Sequence, residues 1–180
     1  MLQITIPAKE AWNEDKEEFI QITQEHVLQL EHSLVSISKW EAKFHKPFLS
    51  KEEKSKEETL YYIKCMTITQ NVKDEIFENL SKENIDEINN YILDPRTATT
   101  FYDNNVGSSR ETITSELVYY WMTALNIPME CQKWHLNRLL TLIRVCNVKN
   151  APPKKMSKRD IASRYASLNA SRRKKFGSKG

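Results

Sequence analysis

Two pairs of side chains in this sequence have a type and spacing that could support chemistry, and the first could bind a metal ion. Cys131 and His135 are four positions apart in a stretch of helical periodicity, so both fall on one helix face. Zinc needs four ligands, and no second pair is present, because His26, His32 and His45 are not spaced to complete the set. We therefore expect a buried thiol and a helix-face imidazole, without a metal.

The second pair, Glu41 and His45, could orient each other as an acid and a base. The two residues flank an apolar helix face, where this spacing usually produces a solvated pair. No serine or cysteine stands in a nucleophile-elbow pattern or beside a plausible base. The three glycines, Gly107, Gly177 and Gly180, fall in predicted linker or tail, which excludes a glycine-rich phosphate loop. The sequence predicts neither enzyme activity nor a cofactor.

Charge divides the chain into two parts of opposite sign. Residues 149–180 contain 11 lysines and arginines and one acidic residue, Asp160, for a net charge of +10. Residues 1–148 contain 16 basic and 23 acidic residues, for a net charge of −7. A tail of this kind predicts binding to an anionic surface, which could be nucleic acid, a membrane or the acidic body of a neighbouring copy.

Nine cationic side chains of the tail are the candidate contacts to an anionic partner. They are Lys154, Lys155, Lys158, Arg159, Arg164, Arg172, Arg173, Lys174 and Lys175. No phenylalanine or tyrosine lies among residues 172–175 to read bases, so binding to nucleic acid would follow charge and not sequence. We expect such binding to be weak.

Aromatic residues form a second candidate surface. The stretch from Tyr119 to Met122, together with Trp134, places four large aromatic side chains within 16 positions. Their helical spacing with Leu117 and Leu136 favours a core, but thin helices cannot bury every ring. We therefore predict a protein interface that includes Tyr61, Tyr62, Tyr119, Tyr120 and Trp134.

The elements that position these residues are mainly helical. Leu2, Ile4 and Ile6 alternate with polar residues, and a second short run at 19–22 completes a small predicted N-terminal β-hairpin. Helical periodicity then predicts a compact bundle of five or six helices, within residues 29–47, 55–67, 72–80, 82–93, 112–125 and 129–148. Ser55 with Glu58 fits a capping box, and Ser81 is a probable helix cap.

Two prolines divide the chain into a domain and a tail. Ala151–Pro153 stops the last helix of a helical domain at residues 1–150, and residues 151–180 form the basic tail. The tail is either flexible or a single helix that begins at Ser157, whose apolar residues are sparse. The spacing of apolar residues predicts a core of Leu30, Leu34, Ile37, Trp40, Leu60, Ile63, Leu117, Trp121, Leu136, Leu139, Leu140 and Ile143.

The first residues and the cysteine count bear on the compartment. The chain starts without a basic segment followed by an apolar run, so we expect no signal peptide. No stretch approaches 18 uncharged apolar residues, so we expect no membrane partner. The three cysteines are an odd number and far apart, which is typical of reduced thiols in a cytosolic protein.

Five stretches of the chain carry a resemblance to a known family: Leu30–Glu41, Glu58–Thr67, Thr114–Pro128, Trp134–Leu140 and Asn150–Lys155. They resemble a protein encoded in the tail gene cluster of long-tailed double-stranded DNA bacteriophages, usually described as a tail assembly chaperone. The resemblance covers most of the chain. It implies a non-enzymatic protein of the host cytoplasm that attends the tape measure protein or the tail tube subunits, and it supplies no catalytic residues.

Two other functions remain open on the sequence alone. One is a structural protein of the phage particle, near the head–tail junction or in the tail, with the basic tail on DNA or an acidic partner. The other is a small DNA-binding regulator, for which the break at Asn126–Pro128 is the only candidate turn of a helix-turn-helix pair. Self-association is a further expected contact of the chain.

Overall fold

The computed structural model describes residues 1–13, 18–101, 112–152 and 157–177 of the chain. Contacts between residues divide it into two compact units, Met1–Asn147 and Val148–Gly180. The fold is mainly α with paired N-terminal strands, which confirms the predicted fold class. In the first unit the helices are α1 Leu34–Phe44, α2 Lys56–Met66, α3 Asp74–Glu78, α4 Lys82–Leu93, α5 Ser115–Ala124 and α6 Leu136–Asn150, which continues into the second unit.

The N-terminal strands form two nested antiparallel pairs. The outer pair joins β1 (Leu2–Ile6) to β4 (His26–Leu30), and the inner pair joins β2 (Lys9–Asn13) to β3 (Glu18–Thr23). The run at 19–22 therefore pairs with β2, and the partner of the first run is β4. Buried residues alternate with more exposed ones in both outer strands, Ile4 and Ile6 in β1 and Leu28 and Leu30 in β4. The pairing therefore places these apolar side chains on one face of the sheet.

Leu30 marks the main difference from the predicted helix boundaries. It closes β4, with the exposed Val27 and Gln29 and the buried Leu28 before it, and α1 begins only at Leu34. The prediction that Leu30 lies on a helix face is therefore wrong, although its burial is as expected. Ser33 sets the boundary, because its hydroxyl accepts a hydrogen bond from the Ser36 amide as the helix cap.

Helix caps elsewhere agree with the sequence. Ser55 and Glu58 form the predicted capping box at the start of α2, with both hydrogen bonds present. Ser81 caps α4, and Asn84 completes a second box there. The predicted long helix from Met129 is shorter than expected, because Met129–Lys133 is a 3-10 helix and α6 begins at Leu136. The Leu136 amide instead donates to the His32 carbonyl at 2.7 Å.

The core lies between the outer strand pair and helices α1, α2, α4, α5 and α6. Eight of the twelve predicted core residues are fully buried, and the other four, Leu60, Leu117, Trp121 and Leu140, are half-buried. On α5 the inward positions are Ser115, Val118 and Met122, so the buried face is turned by one residue from the predicted one. Within the described part of the chain, no helix has the length and apolar character that crossing a bilayer requires.

The second unit contains α7, Lys158–Phe176, which the Ser157 side chain caps by accepting from the Asp160 amide. None of the residues of α7 is buried. Truncation after Asn150 is therefore expected to leave the thermal midpoint of unfolding nearly unchanged, because it removes no core side chain. Differential scanning calorimetry of the full and truncated chains measures this. A fall of more than about 2–4 °C, which corresponds to roughly 1 kcal/mol in a chain of this length, would mean that the tail helix docks on the body.

Candidate functional site

The basic residues of the tail are displayed on one exposed helix. Seven of the nine predicted contacts lie on α7, namely Lys158, Arg159, Arg164, Arg172, Arg173, Lys174 and Lys175. Lys154 and Lys155 lie outside the described residues. The four residues 172–175 occupy the end of the helix, where the partial negative charge of the helix dipole favours cations. The segment predicted as flexible or helical is thus helical from Lys158 to Phe176.

Apolar side chains share this helix with the cations. Ile161, Tyr165 and Leu168 follow the spacing i, i+4 and i+7, which places them on one face. With Arg164 they line a shallow depression of about 350 Å³. Tyr165 is 63% exposed, and Ile161 and Leu168 are also exposed. The helix therefore presents an apolar stripe beside positive charge, which a purely solvated arm would not need.

The five predicted interface aromatics separate into three environments. Tyr62 is only 3% exposed and belongs to the core, so its assignment to an interface surface is wrong. Tyr61, Tyr119 and Trp134 are half-buried, and each has a partner within its own chain. Tyr120 is 66% exposed and points outward from α5, because its neighbours Val118 and Met122 occupy the buried face.

The partners of the half-buried aromatics hold them in place. The Tyr61 ring meets the Phe44 ring edge to face, with 5.4 Å between centroids. The Tyr119 hydroxyl donates to Gln132 Oε1 at 2.9 Å. The Trp134 ring lies 4.3 Å from the Arg138 guanidinium carbon, within cation–π distance. These three rings are preorganised at the surface, but each presents only part of its area.

A buried polar cluster, which we call the histidine cluster, was not visible in the sequence. It contains His32, Tyr62, Tyr91 and His135. His32 Nδ1 shares a hydrogen bond with the Tyr62 hydroxyl, and the two imidazole rings are 5.1 Å apart between centroids. His135 Nε2 donates to the Tyr91 carbonyl at 3.0 Å, and the Tyr91 hydroxyl donates to Glu31 Oε1 at 2.6 Å. The cluster joins the β4–α1 junction to α2, α4 and the start of α6.

Burial governs the ionisation of this cluster. It lowers the pKa of His32 to about 3, and the neighbouring His135 adds to the effect. Burial also lowers the pKa of His135, against the opposing influence of its hydrogen bond to Tyr91 and of the Glu31 charge. Both imidazoles are therefore neutral near pH 7. His135 Nδ1 is buried without a hydrogen-bond partner among the described residues, which a neutral imidazole tolerates better than a charged one.

Cys131 and His135 do not share a helix face. Cys131 lies in the 3-10 helix and is buried, whereas His135 precedes α6 and its ring is engaged by His32 and Tyr91. The described residues contain no group of three or more histidine, cysteine or acidic side chains that could hold a metal ion. The one-face prediction is wrong because Pro128 and the short 3-10 helix interrupt the helical spacing.

Glu41 is a structural carboxylate rather than half of a solvated pair. It is buried, and its two oxygens accept from the amides of Phe48 and Ser115, each at 2.7 Å. His45, by contrast, is exposed and ends α1 in the left-handed conformation, with φ of 54°. Glu41 thereby ties the loop after α1 to the first turn of α5, where a negative charge also complements the helix dipole. The prediction of a solvated pair is therefore wrong for Glu41.

No known protein family matches the chain, and neither a curated protein nor a solved structure shows significant similarity to it.

Proposed function

We propose that this chain is a tail assembly chaperone of a long-tailed double-stranded DNA bacteriophage, which binds the tape measure or tail tube protein while the tail is built. It acts by binding and not by catalysis. The observation that carries the proposal is α7, an exposed helix with an apolar stripe and a dense set of cations. The residues of the family resemblance, above all 114–128 and 134–140, supply the phage assignment.

The stripe on α7 suits a helix that docks in a groove of a helical client. Anchors at i, i+4 and i+7 are the pattern by which an amphipathic helix recognises such a groove. Ile161, Tyr165 and Leu168 are the only large apolar residues on that face before Phe176, so the contact is short. Arg164 beside them would meet a carboxylate at the rim of the groove.

The size of this stripe predicts a reversible contact. Full burial of an apolar side chain contributes about 1.5–3 kcal/mol, and these three are already partly covered, so each adds roughly 1 kcal/mol. Ion pairs at an exposed rim add about 0.2–1 kcal/mol each. Association also costs translational and rotational freedom, so α7 alone binds a client with low affinity. A chaperone needs such an affinity, because it must leave when the tail is complete.

The body offers a second contact through Tyr120 and the half-buried Trp134. Tyrosine and tryptophan are enriched in protein interfaces, since they bury a large area at low cost in conformational entropy. Tyr120 lies on α5, and Trp134 on the chain segment between the 3-10 helix and α6. A client bound through both α7 and the body would gain affinity from two linked contacts.

A structural virion protein is the alternative function. The specific observation in its favour is the run of four cations, residues 172–175, near the C-terminal end of α7, which could neutralise DNA phosphates. The localisation would then be the virion and not the host cytoplasm. The two functions differ in whether the chain remains in the particle, because a chaperone leaves it and a structural protein stays.

Mass spectrometry of infected cells and purified particles tests the proposal. We expect the chain in complex with the tape measure or tail tube protein in lysate, and its absence from mature virions. Replacing Ile161, Tyr165 and Leu168 with serine should lower the yield of assembled tails about tenfold or more, the factor given by a loss of 1.4 kcal/mol. The matched control replaces Ala162, Ala166 and Ala170 with serine on the same helix.

Two results would contradict the chaperone function. A fixed copy number of the chain in purified virions would favour the structural alternative. Unchanged tail yield with the stripe variant would remove α7 as the client-binding element.

A further inference from the structure

The body has two acidic segments, and residues 74–94 are one of them. Residues 74–94 contain seven carboxylates and one lysine, for a net charge of −6, whereas all of residues 1–148 carry −7. This segment comprises α3 and α4. Six of its seven carboxylates are exposed, and the seventh, Asp94, is partly covered and pairs with Arg96. Residues 10–31 also carry −6, and the rest of the body carries +5.

The same segment exposes apolar side chains. Leu93 is 77% exposed, the highest value of any large hydrophobic residue described, and Ile85 is also exposed. On α4, Asp86 and Leu93 share the outward face, because Asn84, Ile88 and Tyr91 occupy the buried one. Glu83 and Glu87 flank it and are exposed. The outward face of α4 thus combines apolar surface with negative charge.

The exposed face of α7 has the complementary composition. Residues 158–176 contain seven lysines and arginines and one acidic residue, for a net charge of +6. Their apolar stripe consists of Ile161, Tyr165 and Leu168. The two surfaces are therefore opposite in sign and equal in magnitude of charge, and each includes exposed apolar side chains. Nucleic acid would match the charge of α7 but would leave its apolar stripe without a partner.

We infer that α7 of one copy docks on the α3–α4 face of a second copy of this chain. The two surfaces are self-complementary, so two copies can exchange their tail helices and form a symmetric dimer. Docking on a second copy makes association depend on protein concentration, which docking within one chain does not.

The inference is independent of the proposed function, since it concerns the purified chain alone. Docking between copies would also cover the apolar stripe while no client is present. Sedimentation velocity over a range of protein concentrations measures it after nuclease treatment. We expect a monomer–dimer equilibrium at about 0.05 M salt and weaker association at about 0.5 M salt, because screening shortens the Debye length to a few ångströms.

Charge reversal on either surface is expected to break the dimer. One variant carries Glu83→Lys and Glu87→Lys, and the other carries Arg172→Glu and Arg173→Glu. Each should raise the dissociation constant at least about tenfold, the factor that corresponds to 1.4 kcal/mol. The matched controls change the net charge by the same amount at exposed positions outside both surfaces. Glu52→Lys with Glu53→Lys is the control for the first variant, and Lys51→Glu with Lys56→Glu is the control for the second.

Mixing the two charge-reversed variants provides the decisive measurement. In the mixture, the unchanged α7 of the first variant meets the unchanged α4 of the second, and the two reversed surfaces also meet with opposite charges. We expect a heterodimer with an affinity close to that of the native chain. Helical circular dichroism of each variant verifies that both are folded.

Four results would overturn the inference. The first is a native chain that stays monomeric at low salt, and the second is a mixture of the reversed variants that stays monomeric. The third is association that nuclease treatment abolishes, which would assign α7 to nucleic acid. Equal weakening by the control variants would likewise show that net charge, and not these two surfaces, drives association.

Discussion

Replacing Leu139 with alanine is expected to lower the free energy of unfolding by about 2–5 kcal/mol. Leu139 has no exposed surface and belongs to the buried cluster that also contains Leu34, Trp40 and Leu136. Its loss removes the transfer free energy of the side chain and leaves a cavity that the close-packed surroundings fill only in part. This is a large fraction of the 5–15 kcal/mol by which a domain is usually stable.

Urea denaturation followed by circular dichroism measures this difference. The matched control is Leu93→Ala, because the Leu93 side chain is largely exposed and its truncation should cost less than about 0.5 kcal/mol. A similar cost for the two variants would contradict the burial of Leu139. A change in the denaturant slope instead of the midpoint would indicate that the transition is not two-state, and the comparison would then need the kinetics of unfolding.

Features of the fold that depend only on residues close together in the sequence could be predicted. The capping box at Ser55 and the cap at Ser81 are such features, since each satisfies free amides within one helical turn. The bounds of α4 are another, because a cap precedes it and Asp94 and Pro95 follow it. The alternation of Ile4 and Ile6 with polar residues likewise predicted β1.

The buried face of α5 could not be predicted by the same reasoning. Six consecutive residues, 117–122, are all apolar or aromatic, so several faces of the helix are almost equally hydrophobic. The predicted face contained Leu117 and Trp121, whereas the structure buries Val118 and Met122 fully. Contacts made by the other elements decide between such faces, and the sequence of the helix alone does not contain them.

The polar contacts of the core were missed for a related reason. Glu41 binds an amide 74 positions away, and Tyr62 and His32 are 30 positions apart. A single sequence shows no periodicity for partners at such separations, so Glu41 was assigned to solvent and Tyr62 to an interface. The exposure of the α7 cations, by contrast, could be predicted, because a run of like charges stays in water wherever the helix lies.

Acid is expected to destabilise this protein well above the pH at which its carboxylates titrate. His32 has a folded-state pKa of about 3 and a value near 6.5 when unfolded, so the unfolded state binds more protons between these limits. The stability that the neutral His32 contributes is therefore fully present above about pH 6.5, and it is lost as the pH falls toward 3. The lowered pKa of His135 acts in the same direction.

His32 contributes a slope of up to about 1.4 kcal/mol per pH unit, or about 2 kcal/mol between pH 6.5 and pH 5. The pKa of Glu58, Glu83 and Glu116 is lowered by hydrogen bonds, so these carboxylates lose their contribution only below about pH 4.5, their ordinary range. The interval from pH 7 to pH 5 thus isolates the histidine cluster.

The free energy of unfolding from urea titrations at half-unit steps of pH measures this slope. His32→Asn is expected to reduce this slope by the contribution of one histidine, because asparagine cannot titrate. Asparagine can still accept a hydrogen bond from the Tyr62 hydroxyl. The variant is nevertheless expected to be less stable than the native chain at pH 7. His45→Asn is the control, since His45 is exposed and asparagine tolerates its left-handed backbone. A native chain equally stable at pH 7 and pH 5 would show that the buried imidazoles do not resist protonation, and that the cluster opens to water in solution.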